Sequence, residues 1–434
     1  MKREIFGIFL LLNVATFNEV FAQHDNLINS SAEWVRTPAR NAATDAGDIV
    51  IYNPAGTVKL SDGFHINIGN QSLFRKPTHS WDLGMGEGEK TATQSGNDAV
   101  LPNFYATYKS GSWALFTGIF IAGGGATANY PSGSINTDLV GLQALMAAQG
   151  AYGATKDQYL KASSMYLTST MGMAYSLSDK ISMAIAGRYI DAKNTTKAGV
   201  TLTSSPLGLE DAPLELNTED KATGFGGVIS MMYEASPRFR TTLRYETAVD
   251  LNFETIQVKD DLGVTTNGAK SHRDLPAVLA WGASYAASTS ICLYGDVNYY
   301  FQKNANWGEY SNGTTIENYS ELAGDAVSLN LAATFNITPK LMWSTGGGYT
   351  DFKYSDKEGY FTKTGAFETI PTDNWNINTG ITIKTCKTAN VTLGYMHTFY
   401  SSEDVKAQLA TPLDVTVHTK NSLDALAIGF DLTF

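Results

Sequence analysis

The fold is decided by the stretch Arg238-Phe239-Arg240-Thr241-Thr242-Leu243-Arg244-Tyr245-Glu246-Thr247-Ala248-Val249-Asp250-Leu251-Asn252-Phe253-Glu254. One parity reads Phe239, Thr241, Leu243, Tyr245, Thr247, Val249, Leu251, Phe253. The other holds Arg238, Arg240, Arg244, Glu246, Asp250 and Glu254. Period two sets an apolar face against an ionic one along a strand. Strands of soluble sheets usually run ~5–6 residues, whereas one that crosses a bilayer needs ~9–11. The length of this stretch therefore predicts a membrane-crossing strand.

The pattern recurs. Ile291, Leu293, Val297, Tyr299 and Phe301 alternate with polar positions, as do Val391, Leu393, Tyr395 and Phe399. The chain closes on Leu426, Ile428, Phe430, Leu432 and Phe434. An apolar-alternating last strand with a terminal aromatic resembles the C-terminal signal read by the barrel-assembly machinery of bacterial outer membranes. Sharp reversals fall at 109–112, 176–180, 234–238, 286–290, 336–340 and 385–388. Two long strands and one longer polar loop separate successive reversals. Fourteen strands result, starting near 64, 98, 112, 157, 180, 219, 238, 272, 290, 317, 340, 371, 388 and 422. Short turns at one end and long loops at the other are the outer-membrane arrangement. In hydrocarbon every unpaired backbone group is costly, so the strands must close into a barrel.

Composition agrees. Forty Gly, 22 Tyr and 20 Phe in 434 residues accompany a mean hydropathy of −0.15, the average of strands that are apolar outside and polar inside. A net charge of −11 argues against nucleic acid, whose phosphates need a basic face. Lys2 and Arg3, the apolar run Ile5–Phe17 and Val20-Phe21-Ala22 predict a secretory signal over 1–22. Cys292 and Cys386, the only cysteines, sit near turns of different strands and are expected to be free thiols.

Before the first strand lies Asp45-Ala46-Gly47-Asp48 and then Asn53-Pro54-Ala55-Gly56. Pro54 fixes φ and Gly56 permits positive φ, so a tight reversal is expected. The segment has too few apolar residues to form a core alone and needs a container.

These motifs, with Leu101-Pro102-Asn103-Phe104, Gly224-Phe225-Gly226, Arg244-Tyr245-Glu246, Asp250-Leu251-Asn252-Phe253, Leu275-Pro276, Gly394-Tyr395-Met396-His397 and Phe434, run nearly end to end. In that order they resemble the FadL family of outer-membrane transporters for long-chain fatty acids and other hydrophobic molecules. The resemblance implies an all-β barrel of fourteen strands over 63–434, stoppered by a hatch over 23–62. It puts Asp45, Asn53, Pro54, Ala55 and Gly56 in the lumen. It also implies capture of ligand outside and lateral release through a gap in the wall, where Gly123, Gly124 and Gly125 end the third strand.

Residues 138–150 read as a helix, with Leu139, Leu142, Leu145 and Met146 on one face; this face is a candidate for ligand capture, or it packs on the rim. Arg188 and Lys193 are candidates to meet a carboxylate. Arg240, Arg244, Glu246, Asp250 and Glu254 are expected to bond the hatch, which offers Arg40, Asp45 and Asp48, because buried charges need partners. The loop over 203–218 is shorter than the helical loop of the family prototype. Neither metal spacing among the six histidines nor a Gly-x-Ser-x-Gly elbow occurs, so no enzyme, metal or cofactor is expected. A monomer in contact with outer-membrane lipid and a hydrophobic ligand is the expectation, with a general porin or adhesin as the alternative.

Overall fold

A computed structural model describes residues 31–434 apart from 85, 312–314, 370 and 411–412. The expected signal, and residues 23–30 of the expected hatch, lie outside the described residues.

Each reversal turns where its small polar residues allow, and each long alternating run pairs antiparallel with its neighbour in the chain. The strands are β1 (Gly63–Arg75), β2 (Asp98–Ser110), β3 (Trp113–Tyr130), β4 (Ala154–Ser176), β5 (Ile181–Thr203), β6 (Ala212–Ser236), β7 in two lengths (Phe239–Glu246 and Asn252–Asp260), β8 (Ala277–Ala286), β9 (Ile291–Phe301), β10 (Asp325–Thr338), β11 (Leu341–Lys353), β12 (Asn374–Lys384), β13 (Ala389–Tyr400) and β14 (Ser422–Thr433). Pairing of β14 with β1, from His65 opposite Thr433 to Arg75 opposite Leu423, closes a fourteen-stranded barrel. Three starts differ from expectation by five residues or more. β6 begins at Ala212, β8 at Ala277, and β10 at Asp325. Before β10, residues 316–323 form a short strand and a helix capped by Asn318, which delay the wall.

The largest difference lies in the stretch that decides the fold. It is two strand lengths rather than one, broken at Thr247–Leu251. Below the break the parity holds, with Leu243 and Tyr245 outside and Arg244 and Glu246 inside. Above it, Val249, Leu251 and Phe253 are buried, while Asp250 and Glu254 are exposed. Gly224 on β6 explains the detour: a Cβ there would lie 2.5 Å from the Asp250 carbonyl oxygen and from a Val249 methyl. Only a bare backbone lets the chain fold in so closely.

The outward face carries an apolar belt. On β5 and β6 it ends at the Tyr189–Phe225 ring pair, with centroids 4.9 Å apart, and Lys193, Glu219 and Lys221 follow above it. The nine residues Ile181–Tyr189 rise about 30 Å along the strand, close to the ~25 Å expected of a tilted lipid-facing band. β4, β5 and β6 run 23, 23 and 25 residues and extend beyond the belt as a sleeve. Among the described residues no helix is long and apolar enough to cross a membrane.

Candidate functional site

The N-terminal segment lies inside the barrel. α1 (Ala32–Arg36) starts at Ser31, whose hydroxyl accepts from the Trp34 N–H at 2.9 Å. Its Ala32 and Val35 pack on Met396, Ala425 and Ala427 of the wall. α2 (Ile49–Tyr52) leads into a 3-10 turn over Pro54–Lys59, and Ile51, Tyr52, Ala55 and Val58 bury against Tyr105, Phe116 and Ala184. Gly56 does not take positive φ as expected. It is bare because the Asn53 side chain folds over it and donates to Ala43 O at 2.9 Å.

Short helices leave backbone groups unpaired, and inward polar residues of the wall meet them. Asn41 N–H donates to Asp296 on β9 at 2.8 Å, and Gly47 N–H to Asp431 on β14 at 3.0 Å. Thr242 on β7 donates to Asn41 O (2.6 Å), Ser182 on β5 to Ala55 O (2.8 Å) and Asn378 on β12 to Val35 O (2.8 Å). Arg244 donates to Ile51 O at 2.7 Å, and Arg240 to the Thr44 hydroxyl.

The ionic partners differ from expectation. Arg40 binds Asp45 (2.7 Å) and Asp48, and Arg36 binds Asp45 (2.7 Å), all within the segment. Glu246 pairs with Arg188 and with Arg244 at 2.9 Å, so the wall charges satisfy one another. Asp250 is exposed and makes no contact with the segment, because the chain turns in before reaching it. Burial works against charge on Asp45, but Arg40 and Arg36 outweigh it and hold that carboxyl below its usual range. Asp48 goes the other way: burial pushes it up to about 6 despite Arg40. Glu33 is fully buried; burial and then Asp431 push it up to about 8.

The second feature is a seam in the wall. The β2–β3 ladder runs from Ser110 opposite Trp113 only as far as Phe104 opposite Ile119. Beyond that, β2 pairs with β1 alone and β3 with β4 alone. Phe120, Ile121, Ala122 and Gly123 are buried in succession, so the in–out alternation is lost and β3 bends into the lumen. Two register shifts, at Ile121/Gly123 and Gly124/Ala126, accompany the bend. Gly124 adopts φ +67, which a side chain disfavours. The edges meet again at Thr127, which donates to Asp98 at 2.7 Å, and at Asn129 O, which accepts from Ser95 N–H at 2.8 Å. What results is a window in the hydrogen-bond ladder, with Val100 and Pro102 exposed on its β2 edge.

Loops cover the end opposite the short turns, including a four-stranded sheet built from residues 78–81, 90–93, 403–410 and 413–420. α3 (Ile135–Ala147) begins three residues earlier than expected, at a capping box of Ser134 and Thr137. Its start is clamped by Glu368, which accepts from Ser134 at 2.5 Å and Asn136 at 2.8 Å; burial pushes Glu368 up to about 7. Leu139 is buried in the cap, Leu142 and Leu145 are half-buried, and Met146 is exposed. A cavity of about 630 Å³ beside α3 is lined by Trp81, Lys90, Asp138, Lys156 and Gln158 among others. Neither expected carboxylate receptor stands free at the rim. Arg188 is buried against Glu246, and Lys193 faces outward, 3.0 Å from Glu219. Cys292 and Cys386 are free thiols.

Sequence reasoning missed the unpaired β2 edge and the infolded Val249–Phe253. Only the adjacent Gly224-Phe225-Gly226 signalled the latter.

Fourteen antiparallel strands, an N-terminal segment in the lumen and a third strand that leaves its neighbour define the class: the chain has the fold of the FadL-type outer-membrane transporters. Among solved structures it is similar to a Pseudomonas aeruginosa FadL homologue (TM-score 0.67, 11% identity, covering 94% of this chain and 100% of that one). It is also similar to the Pseudomonas putida toluene transporter TodX (0.64, 12%, 95% and 100%) and the Ralstonia pickettii toluene transporter TbuX (0.58, 15%, 97% and 99%). No family model matches the sequence. No curated protein matches it either.

Proposed function

We propose that this chain lies in the bacterial outer membrane as a monomer and passes hydrophobic small molecules, long-chain fatty acids or similar, sideways through its wall. The supporting observation is the unlaced stretch between β2 and β3, beside a lumen filled below by the N-terminal segment. A hydrophobe gains ~0.8 kcal/mol per buried CH₂. It therefore favours an apolar path and gains nothing from a watery pore.

The route begins at the loops, where Met146 and the half-buried Leu142 and Leu145 offer apolar surface. It descends to the aromatic cluster of Tyr105, Phe120, Tyr166 and Phe253 behind the window, where the Tyr166 and Phe253 rings lie 5.8 Å apart. It leaves between β2 and β3 into the lipid. The plug residues Asp45, Asn53, Pro54, Ala55 and Gly56 block the vertical way, so a general porin, which needs an open lumen, fits less well. That the structural neighbours are transporters of hydrophobic compounds supports the same reading.

Gly124→Val tests it. A β-branched residue strongly resists φ near +67 and favours a regular strand, which draws β3 back towards β2. Uptake of a radiolabelled fatty acid or toluene by cells carrying the variant is expected to fall at least tenfold, with the barrel still folded by heat-modified gel migration. Unchanged uptake would rule out the window as the exit.

A further inference from the structure

The lumen is not apolar throughout. Ser164 on β4, Asn194 on β5, Asp220 on β6 and Thr255 on upper β7 are direct cross-strand neighbours and form one row across four strands. All four are buried to at least nine-tenths and face inward. The inward positions one rung below are Tyr166, Ala192, Ala222 and Phe253, all apolar. One rung above lie Ala162, Thr196 and Thr218, and further up the sleeve are Leu160, Ala198 and Leu216. Buried polar atoms that lack a partner cost free energy unless something answers them.

Two of its atoms have no partner: Ser164 Oγ and Asn194 Oδ1. Thr255 donates to one Asp220 oxygen at 2.5 Å. The row also abuts the window, since a Cβ on Gly124 would lie 2.5 Å from Ser164 Oγ.

We propose that this row is the polar-group subsite of the transport path, and that it takes an uncharged hydrophobe bearing a hydroxyl. The proposal rests on the transport reading above and narrows it, from fatty acids or similar hydrophobes to uncharged alcohols. Each of the row's open positions can accept a hydrogen bond, and a hydroxyl donates one. A carboxylate is repelled by Asp220, and among the described residues the cations flanking the row are already paired. Arg188, six residues along β5, is tied to Glu246, and Lys193 and Lys221 lie on the outer face bound to Glu219. An ammonium group would find Asp220, but the way out leads into hydrocarbon, where a charge is expensive. A neutral hydroxyl satisfies the row and still leaves sideways.

The test is equilibrium binding of radiolabelled 1-dodecanol, dodecanoate, dodecylamine and dodecane to the full-length purified protein in amphipol, at about pH 8. The expected result is 1-dodecanol held about tenfold tighter than dodecane or dodecanoate, the scale of one well-placed buried hydrogen bond. Asn194→Leu should erase the preference, and Ser164→Ala, which removes one oxygen, should reduce it, with heat-modified gel migration confirming that both fold. Dodecanoate binding as tightly as the alcohol would overturn the proposal, as would a preference that survives Asn194→Leu or dodecylamine uptake by whole cells as fast as that of 1-dodecanol. Equal binding of dodecane and 1-dodecanol sinks this subsite but leaves lateral transport standing. No binding of any of the four sinks both.

Discussion

The bottom of the lumen and the window between β2 and β3 solve opposite problems with the same chemistry. At the bottom, inward groups from β5, β7, β9, β12 and β14 reach a segment of short helices and close its unpaired backbone groups. At the window, two strands that could pair do not, and the ladder stops at Phe104 and Ile119. Dense bonding ties the segment into the lumen, and missing bonds leave the side unlaced. A barrel is stable with such a gap because pairing continues on the far side of each edge strand, to β1 and to β4.

The largest effect that separates the two regions comes from removing the seal. Deleting residues 23–62 is expected to turn a barrel with almost no ion current into an open channel in planar bilayers. If conductance stays nil, these residues do not block the lumen. Next in size, Arg40→Ala leaves the buried Asp48 without its cation while Asp45 keeps Arg36, a loss of roughly 3–5 kcal/mol for a broken buried pair. It should show as frequent open bursts in single-channel records and a lower unfolding temperature. Arg40→Lys should recover part of both.

A smaller effect is a pH response. Burial, with Asp431 adding to it, raises Glu33 to about 8, while Arg36 and Arg40 oppose the rise. A raised carboxyl favours the folded segment while protonated. That stability is complete below the ordinary pKa of 4.5 and is lost as pH rises to about 8. Asp48, raised to about 6, acts in the same direction. Leak current should therefore grow between about pH 5 and pH 8, and Glu33→Gln should flatten the rise. A current that falls with pH would contradict the sign. The smallest effect is expected at the loops: Met146→Ser removes one exposed apolar side chain and should lower uptake by twofold at most. A loss beyond about tenfold would make α3 the dominant capture element.

Much of the wall was legible in the sequence because each reversal is local chemistry. Lys109-Ser110-Gly111-Ser112 turns by itself, and Gly111 takes positive φ there. The break in β7 was not legible in its own residues. Val249, Leu251 and Phe253 continue the apolar parity of Leu243 and Tyr245, and both lipid and a packed lumen accept apolar side chains. Alternation therefore persists while the face it marks changes. The glycines of β3 announced a bend, but the lost partnership of residues 98–103 depends on where β3 goes and leaves no mark on β2. Nor could spacing reveal that Arg36, Arg40, Asp45 and Asp48 pair among themselves, since that depends on how the segment folds back inside its container.

The central claim is sideways passage between β2 and β3, and holding those edges together tests it most directly. Val100→Cys and Ile121→Cys, in a chain with Cys292 and Cys386 changed to Ser, can be joined by a short cleavable bifunctional thiol reagent. The account predicts that uptake of a radiolabelled hydrophobe stops on cross-linking and returns when the linker is cleaved. Uptake that continues at full rate with the edges joined would contradict it.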